Sequence, residues 1–133
     1  MTDYHTIRVE RADGIGTIAL LDSKTSSGGA HSSHTEIGAA LGDLRFDNDV
    51  RVVVIKSDAE HFYSPPPGRP RMANRVPGDD WDLTQGLHRA FQNVIEIEKP
   101  VIAQVHGQAA GFGASLTFAC DFIVAAEDAV LGD

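Results

Sequence analysis

The feature that most restricts this chain is residues 99–121, KPVIAQVHGQAAGFGASLTFACD. An apolar run at 101–105 leads into a loop carrying Gly107, Gly111 and Gly113, and then into a segment at 114–120 that can be helical. A buried strand that delivers a glycine-rich bend to a helix start gathers several unpaired backbone N–H groups in one place. Such a spot holds negative charge, and it is the first candidate for a site.

The remaining elements are arranged around that stretch. Residues 7–11 and 15–21 are β-rich and meet across Ala12-Asp13-Gly14, where the Asp-Gly pair predicts a hairpin. Residues 22–32 are rich in Ser and Gly and predict a loop, after which Ser33 and Glu36 form a capping-box pattern. Ile37, Ala40, Leu41 and Leu44 then recur at helical spacing and give one apolar face. The β-branched run at 50–56 predicts a strand covered on both faces, so the core has layers. Residues 57–80 predict a long connection with the cluster Pro65-Pro66-Pro67 and Pro70, and its Arg69, Arg71 and Arg75 make it the one locally cationic patch. Asp79 and Asp80 predict the N-cap of a second helix whose buried stripe is Leu83, Leu87, Phe91 and Val94, ended by Lys99-Pro100. Short strands at 122–126 and 129–131 complete a strand, strand, helix pattern and hence an α/β fold.

Composition narrows the function. A chain of 133 residues with ordinary apolar content supports one modest core, and a net charge of -8 argues against general nucleic-acid or membrane-surface binding. The single cysteine, Cys120, excludes an internal disulfide framework, and the N-terminus has no basic region followed by an apolar stretch, so the cytoplasm is the expected compartment. No apolar run approaches membrane-spanning length.

The elements RVVVIKS, the HF-containing loop after it, KPVIAQVHG, the glycines to Gly113 and ACDFIVAAEDAVLG occur in the order of the enoyl-CoA hydratase/isomerase (crotonase) superfamily, which the chain resembles from about residue 7 to 133. The resemblance is to the N-terminal half of that family. It implies a spiral of repeated ββα units, with residues 1–133 a single domain incomplete at its C-terminus and the 57–80 Pro/Arg loop inside it. It also implies an acyl-CoA thioester as ligand, coenzyme A being part of the substrate and no separate cofactor. Assembly would be as a homotrimer or dimer of trimers, or with a complementary C-terminal chain.

By the same resemblance, two backbone N–H groups stabilise the enolate of the thioester, one from Phe112 in Gly111-Phe112-Gly113 and one from Ser64. The ligand would be held by Lys24, Ala30, Ser64, Pro65, Pro66, Gly111 and Phe112. Two departures stand out. Where the family has a small-residue turn, this chain has Ser64-Pro65-Pro66-Pro67, which lacks three consecutive N–H groups. Ser115 occupies the position of the first hydratase glutamate, and a neutral hydroxyl is a poor general base near pH 7; the second glutamate would fall past Asp133. Hydratase is the default activity, with isomerase, hydrolase or decarboxylase chemistry, or a non-catalytic acyl-CoA-binding subunit, as alternatives. A polyproline ligand at 65–71 for an SH3-type groove is a more distant one.

Other polar residues receive plainer readings. His31 and His34, with Glu36 nearby, could suggest a metal, but the two histidines lack a third well-placed ligand and read as solvated residues. His61 and Tyr63 flank the proposed site, either as acid or base or as loop packing. His106 shapes the bend, and Asp121 bonds nearby backbone at a helix end. The glycine segment lacks the lysine of a P-loop, the third glycine of a dinucleotide fingerprint and the Gly-x-Ser-x-Gly of a nucleophile elbow.

Overall fold

The computed structural model describes residues 3–21, 32–64 and 77–132, with nothing said of the side chains at 79, 80, 82 and 83. Ten elements follow in order: β1 (Ile7–Ala12), β2 (Ile15–Leu20), α1 (Ser33–Arg45), β3 (Val52–Ser57), α2 (Pro77–Glu96), β4 (Val101–Val105), β5 (Gln108–Ala109), α3 (Phe112–Ala119), β6 (Phe122–Ala125) and β7 (Val130–Leu131). Five strands form one sheet in the order β1-β2-β3-β4-β6, and β5 and β7 form a second, two-stranded one. Only β1 and β2 are antiparallel, joined at Asp13 (φ 55°) and Gly14 (φ 81°), the two positive φ values of a tight hairpin turn. Every other pairing is parallel, so the chain must cross over between strands, and α1, α2 and α3 lie in those crossovers.

The inner face of the large sheet carries Ile18 and Leu20, Val53 and Ile55, and Val101, Ala103 and Val105, all buried together with Ile37, Leu41 and Leu44 of α1. On β3 buried and half-buried residues alternate, so the strand predicted to be covered on both faces is fully covered on one. The β-branched residues Val52 and Val54 simply occupy its less covered side. Beside β4, Phe122, Ile123 and Val124 of the edge strand β6 are exposed, successive residues facing opposite sides of the sheet.

Several predicted boundaries move for identifiable reasons. The N-cap of α1 is Ser32, whose Oγ accepts from Thr35 N–H, so the Ser33–Glu36 capping box does not form. Glu36 instead reaches back to the segment before β1, where its carboxylate accepts from the N–H groups of His5 and Thr6 and from Thr6 Oγ1. The second helix begins at Pro77 rather than at Asp79 or Asp80, since a proline in the first turn surrenders only an N–H that has no helical partner. The long connection is correspondingly shorter than 57–80. The buried line of α2 runs through Gly86, Ala90 and Val94, with Leu87 and Phe91 partly covered; Leu83 lies outside the described side chains. Small residues win that face because α1 comes close: a Cβ on Gly86 would meet Thr35 Oγ1 at 2.6 Å. The predicted 122–126 and 129–131 strands shorten to Phe122–Ala125 and Val130–Leu131.

The end of α1 is closed from a distance. Lys99 Nζ donates to the carbonyls of Leu44 (2.6 Å) and Asp47 (2.7 Å), placing a cation at the negative end of the helix. Lys99→Met leaves both carbonyls without that donor, and a loss of about 1–2 kcal/mol in a urea unfolding titration is expected. For Glu36, burial opposes ionisation, but the hydrogen bonds from Thr6 and His5 outweigh it and hold the carboxyl below the usual glutamate range. A pKa lower in the folded state than in the unfolded one gives stability that is complete above the ordinary glutamate range and lost as pH falls through the folded value. Glu36→Gln is therefore expected to cost about 2 kcal/mol near pH 7, and progressively less as pH falls below the ordinary glutamate range, in thermal melts of both proteins.

Candidate functional site

The segment after β3 and the segment after β4 are stitched together by backbone. Phe62 N–H donates to His106 O (2.9 Å), Tyr63 N–H to Gln108 O (2.9 Å), and Ala110 N–H to Tyr63 O (3.0 Å). Tyr63 thus bridges in parallel to Ala109 of β5, which pairs in turn with β7. Side chains add to the seam: Gln108 N–H donates to His61 Nδ1 (3.1 Å) and Ser64 Oγ to Gln108 Oε1 (3.1 Å). A second sheet is therefore built, one of whose strands, β5, falls where the sequence suggested only a loop. Its strands are too short, at two residues each, to show a hydrophobic period.

This seam brings Ser64 beside the start of α3, which begins at Phe112 rather than at residue 114. Gly111 precedes it with φ 55° and ψ −122°, a conformation that disfavours a side chain, whereas Phe112 has no positive φ. The backbone thus accepts a phenylalanine at the middle of the glycine turn. Gly113 N–H donates to Ala110 O and Ser115 N–H to Gly111 O, but among the described residues neither Ser64 N–H nor Phe112 N–H donates to a backbone carbonyl.

Behind the turn lies an aromatic cluster. The ring of Phe112 stacks edge-on against His34 (centroids 4.0 Å apart) and packs on Tyr63 (5.5 Å) and Phe91 (5.7 Å). His34 Nε2 and Tyr63 Oη share a hydrogen bond at 3.3 Å, while His34 Nδ1 is buried with no partner. Burial lowers the His34 pKa to about 4, so the imidazole is neutral near pH 7. Burial also pushes the Tyr63 phenol up, with a hydrogen bond to Ser33 pulling the other way. Tyr63 sits so close beneath the helix that a Cβ on Gly113 would lie 2.3 Å from its own Cβ. Gly113 is a packing glycine.

The predicted site residues divide as follows. Ser64, Gly111 and Phe112 are drawn together through the seam, and Ser115 lies exposed on the outer side of α3, with no acid in that helix's first turn. Tyr63 packs inward, its hydroxyl buried against His34, which favours its loop-packing reading over acid–base work. His61 is half-buried and accepts from Gln108 N–H. His106 shapes the bend through Ala59 O (2.7 Å), and Asp121 accepts from Val101 N–H (2.8 Å). Lys24, Ala30, His31, Pro65, Pro66, Pro67, Arg69, Arg71 and Arg75 lie outside the described residues. The reading of His34 as solvated is corrected: it is buried, packed against the rings of Phe112 and Tyr63. The signal was in the sequence, since His34 falls on the same helical stripe as Ile37, Leu41 and Leu44.

Cys120 donates Sγ–H to Leu116 O, and burial, helped by the charge of Asp121, pushes its thiol up to about 12, which suits packing rather than nucleophilic work. No group of three or more His, Cys, Asp or Glu side chains gathers among the described residues, and no helix among them is long and apolar enough to cross a membrane.

Comparison with known proteins places this architecture. The family model for enoyl-CoA hydratase/isomerase matches residues 10–133. The carnitinyl-CoA dehydratase of Salmonella enteritidis is 34% identical over 109 residues, 82% of this chain and 38% of that one. Among solved structures, a monofunctional enoyl-CoA isomerase from M. smegmatis aligns with a TM-score of 0.71 at 27% identity, over 93% of this chain and 51% of that one. An enoyl-CoA hydratase from Mycobacterium avium subsp. paratuberculosis shares the fold, with a TM-score of 0.76 at 24% identity over 96% of this chain and 47% of that one. The chain thus spans about two-fifths of the curated relatives it matches and about half of the solved chains. The chain belongs to the enoyl-CoA hydratase/isomerase (crotonase) family.

Proposed function

We propose that this chain supplies the thioester-binding half of a crotonase-type acyl-CoA enzyme, with Ser64 N–H and Phe112 N–H as the two donors to the thioester oxygen. The observation that carries this reading is that neither N–H is spent on a backbone carbonyl, although the seam around Tyr63 fixes the segments that bear them. Donors held in advance at the place where negative charge develops stabilise an enolate more than they stabilise its neutral precursor. Coenzyme A enters as part of the substrate and no separate cofactor is needed. Gly111, Phe112, Ser64 and the residues around Lys24, Ala30, Pro65 and Pro66 form the binding surface in this reading. The exposed apolar side chains of β6 suit an assembly in which further chain or a neighbouring subunit covers them.

Enoyl-CoA hydratase is the default activity, but Ser115 brings no carboxylate to the first turn of α3. That favours a second reading, in which this half binds and polarises the thioester while acid and base come from elsewhere or are absent. The two readings share the oxyanion pair and differ in turnover.

Ser64→Pro tests the pair directly. Proline removes the N–H donor, and Tyr63 before it is already in an extended bridge, the conformation that a following proline requires. With crotonyl-CoA as probe, the wild-type chain is expected to bind saturably, and any turnover is expected to fall about a hundredfold in Ser64→Pro with the melting temperature little changed. Binding without loss of the enoyl absorbance favours the second reading. Absence of binding, or a Ser64→Pro variant that polarises the thioester as well as wild type, overturns the proposal.

A further inference from the structure

Resting on the oxyanion pair proposed above, we infer that His34 is a positioning residue for it: the imidazole joins the two segments that carry the donors, gripping Phe112 by its ring and Tyr63, the neighbour of Ser64, by its hydroxyl. Three observations converge on this. The His34 ring lies edge-on to Phe112 with centroids 4.0 Å apart, the tightest of the ring contacts around the turn. Its Nε2 lies 3.3 Å from Tyr63 Oη. The residue is 5% exposed, and its Nδ1 is buried without a partner. A buried nitrogen left unpaired costs stability, and an apolar side chain of similar volume would avoid that cost. What the histidine offers in return is the bond of its other nitrogen to the buried hydroxyl of Tyr63.

Geometry supplies one. Phe112 delivers one donor from the first position of α3, and its ring anchors that position from behind. Tyr63 stands one residue before the other donor, its backbone tied to Gln108 and Ala110. Those bonds fix the backbone of Tyr63 along the seam, and its side chain packs beneath Gly113. The bonds to His34 and Ser33 hold its hydroxyl, and the Tyr63 ring buttresses Phe112 at 5.5 Å. Since α1 carries both His34 and Ser33, the first helix of the chain sets the spacing of two donors that lie on other elements. An offset of about 1 Å in such a pair is enough to forfeit much of its effect on developing charge.

The test uses acetoacetyl-CoA, whose enolate has its own near-ultraviolet absorbance, so that enolate stabilisation and mere binding are read separately. In His34→Leu the fraction of bound ligand present as enolate at saturation is expected to fall about tenfold, with affinity changed less than about threefold. His34→Gln, which can again hydrogen-bond Tyr63 Oη, is expected to recover most of the signal. Tyr63→Phe keeps the ring, loses the hydroxyl and should lower the signal without adding to the effect of His34→Leu in the double variant. It also serves if His34→Leu does not fold. A wild-type enolate fraction in both single variants, or additive losses, overturns the inference. If the wild-type chain itself gives no enolate signal, the oxyanion reading fails. The positioning role is then judged by amide NMR: the Ser64 and Phe112 resonances should shift together in His34→Leu, and if either stays in place the role is excluded.

Discussion

The site depends on one short ladder, the three backbone hydrogen bonds that run from Phe62 and Tyr63 to His106, Gln108 and Ala110. Without it, the segment after β3 and the segment after β4 would be two independent loops at the same edge of a parallel sheet. With it, they become a strand pair that continues into β7, and loops that could drift relative to one another share a common register. Parallel sheets ordinarily place their ligand sites where such loops leave the strands. Here the loops are additionally fastened, so a polar backbone group on one keeps its place relative to a polar backbone group on the other. The chemistry available follows from that fastening, because N–H groups stabilise charge in proportion to how little they must reorganise.

Much of the architecture was legible from residue pattern. The hairpin at Asp13-Gly14, the apolar face of α1 and the strand–glycine turn–helix order at 101–119 all stand as read, because each rests on local chemistry: positive φ at the turn, helical spacing, and a bend that only small residues permit. What failed was what distant partners decide. Glu36 has the spacing of a capping residue, yet two N–H groups from the chain ahead of β1 compete for it and win. Leu87 and Phe91 look like the centre of a helix stripe, but the approach of α1 favours Gly86 and Ala90 on that line. The two-residue strand β5 carries no pattern of its own and lies between Tyr63 on one side and β7 on the other.

The candidate site divides in the same way. Gly111, Phe112 and Ser64 were named from the family resemblance, by the glycine turn and by the place of Ser64 after Phe62. The cluster of His34, Tyr63 and Phe91 behind Phe112 was not, since nothing in the order of residues says that a histidine from α1 and a phenylalanine from α2 converge on α3. Chemistry at Ser115 differs from the hydratase expectation in kind. An exposed hydroxyl on a helix surface offers a hydrogen bond but no charge.

The contact between Tyr63 and Gly113 has a consequence for how this sequence can drift. The two positions share one volume: the space a methyl group would need at 113 is already filled by Cβ of the tyrosine. Gly113 cannot gain a side chain alone without prying the helix start from the seam. A compensated exchange would need glycine at 63, since every other residue keeps the Cβ that stands in the way, and it would leave a void next to Phe112. Positions 63 and 113 should therefore behave as a linked pair under selection, fifty positions apart in the chain yet bound to a single steric allowance.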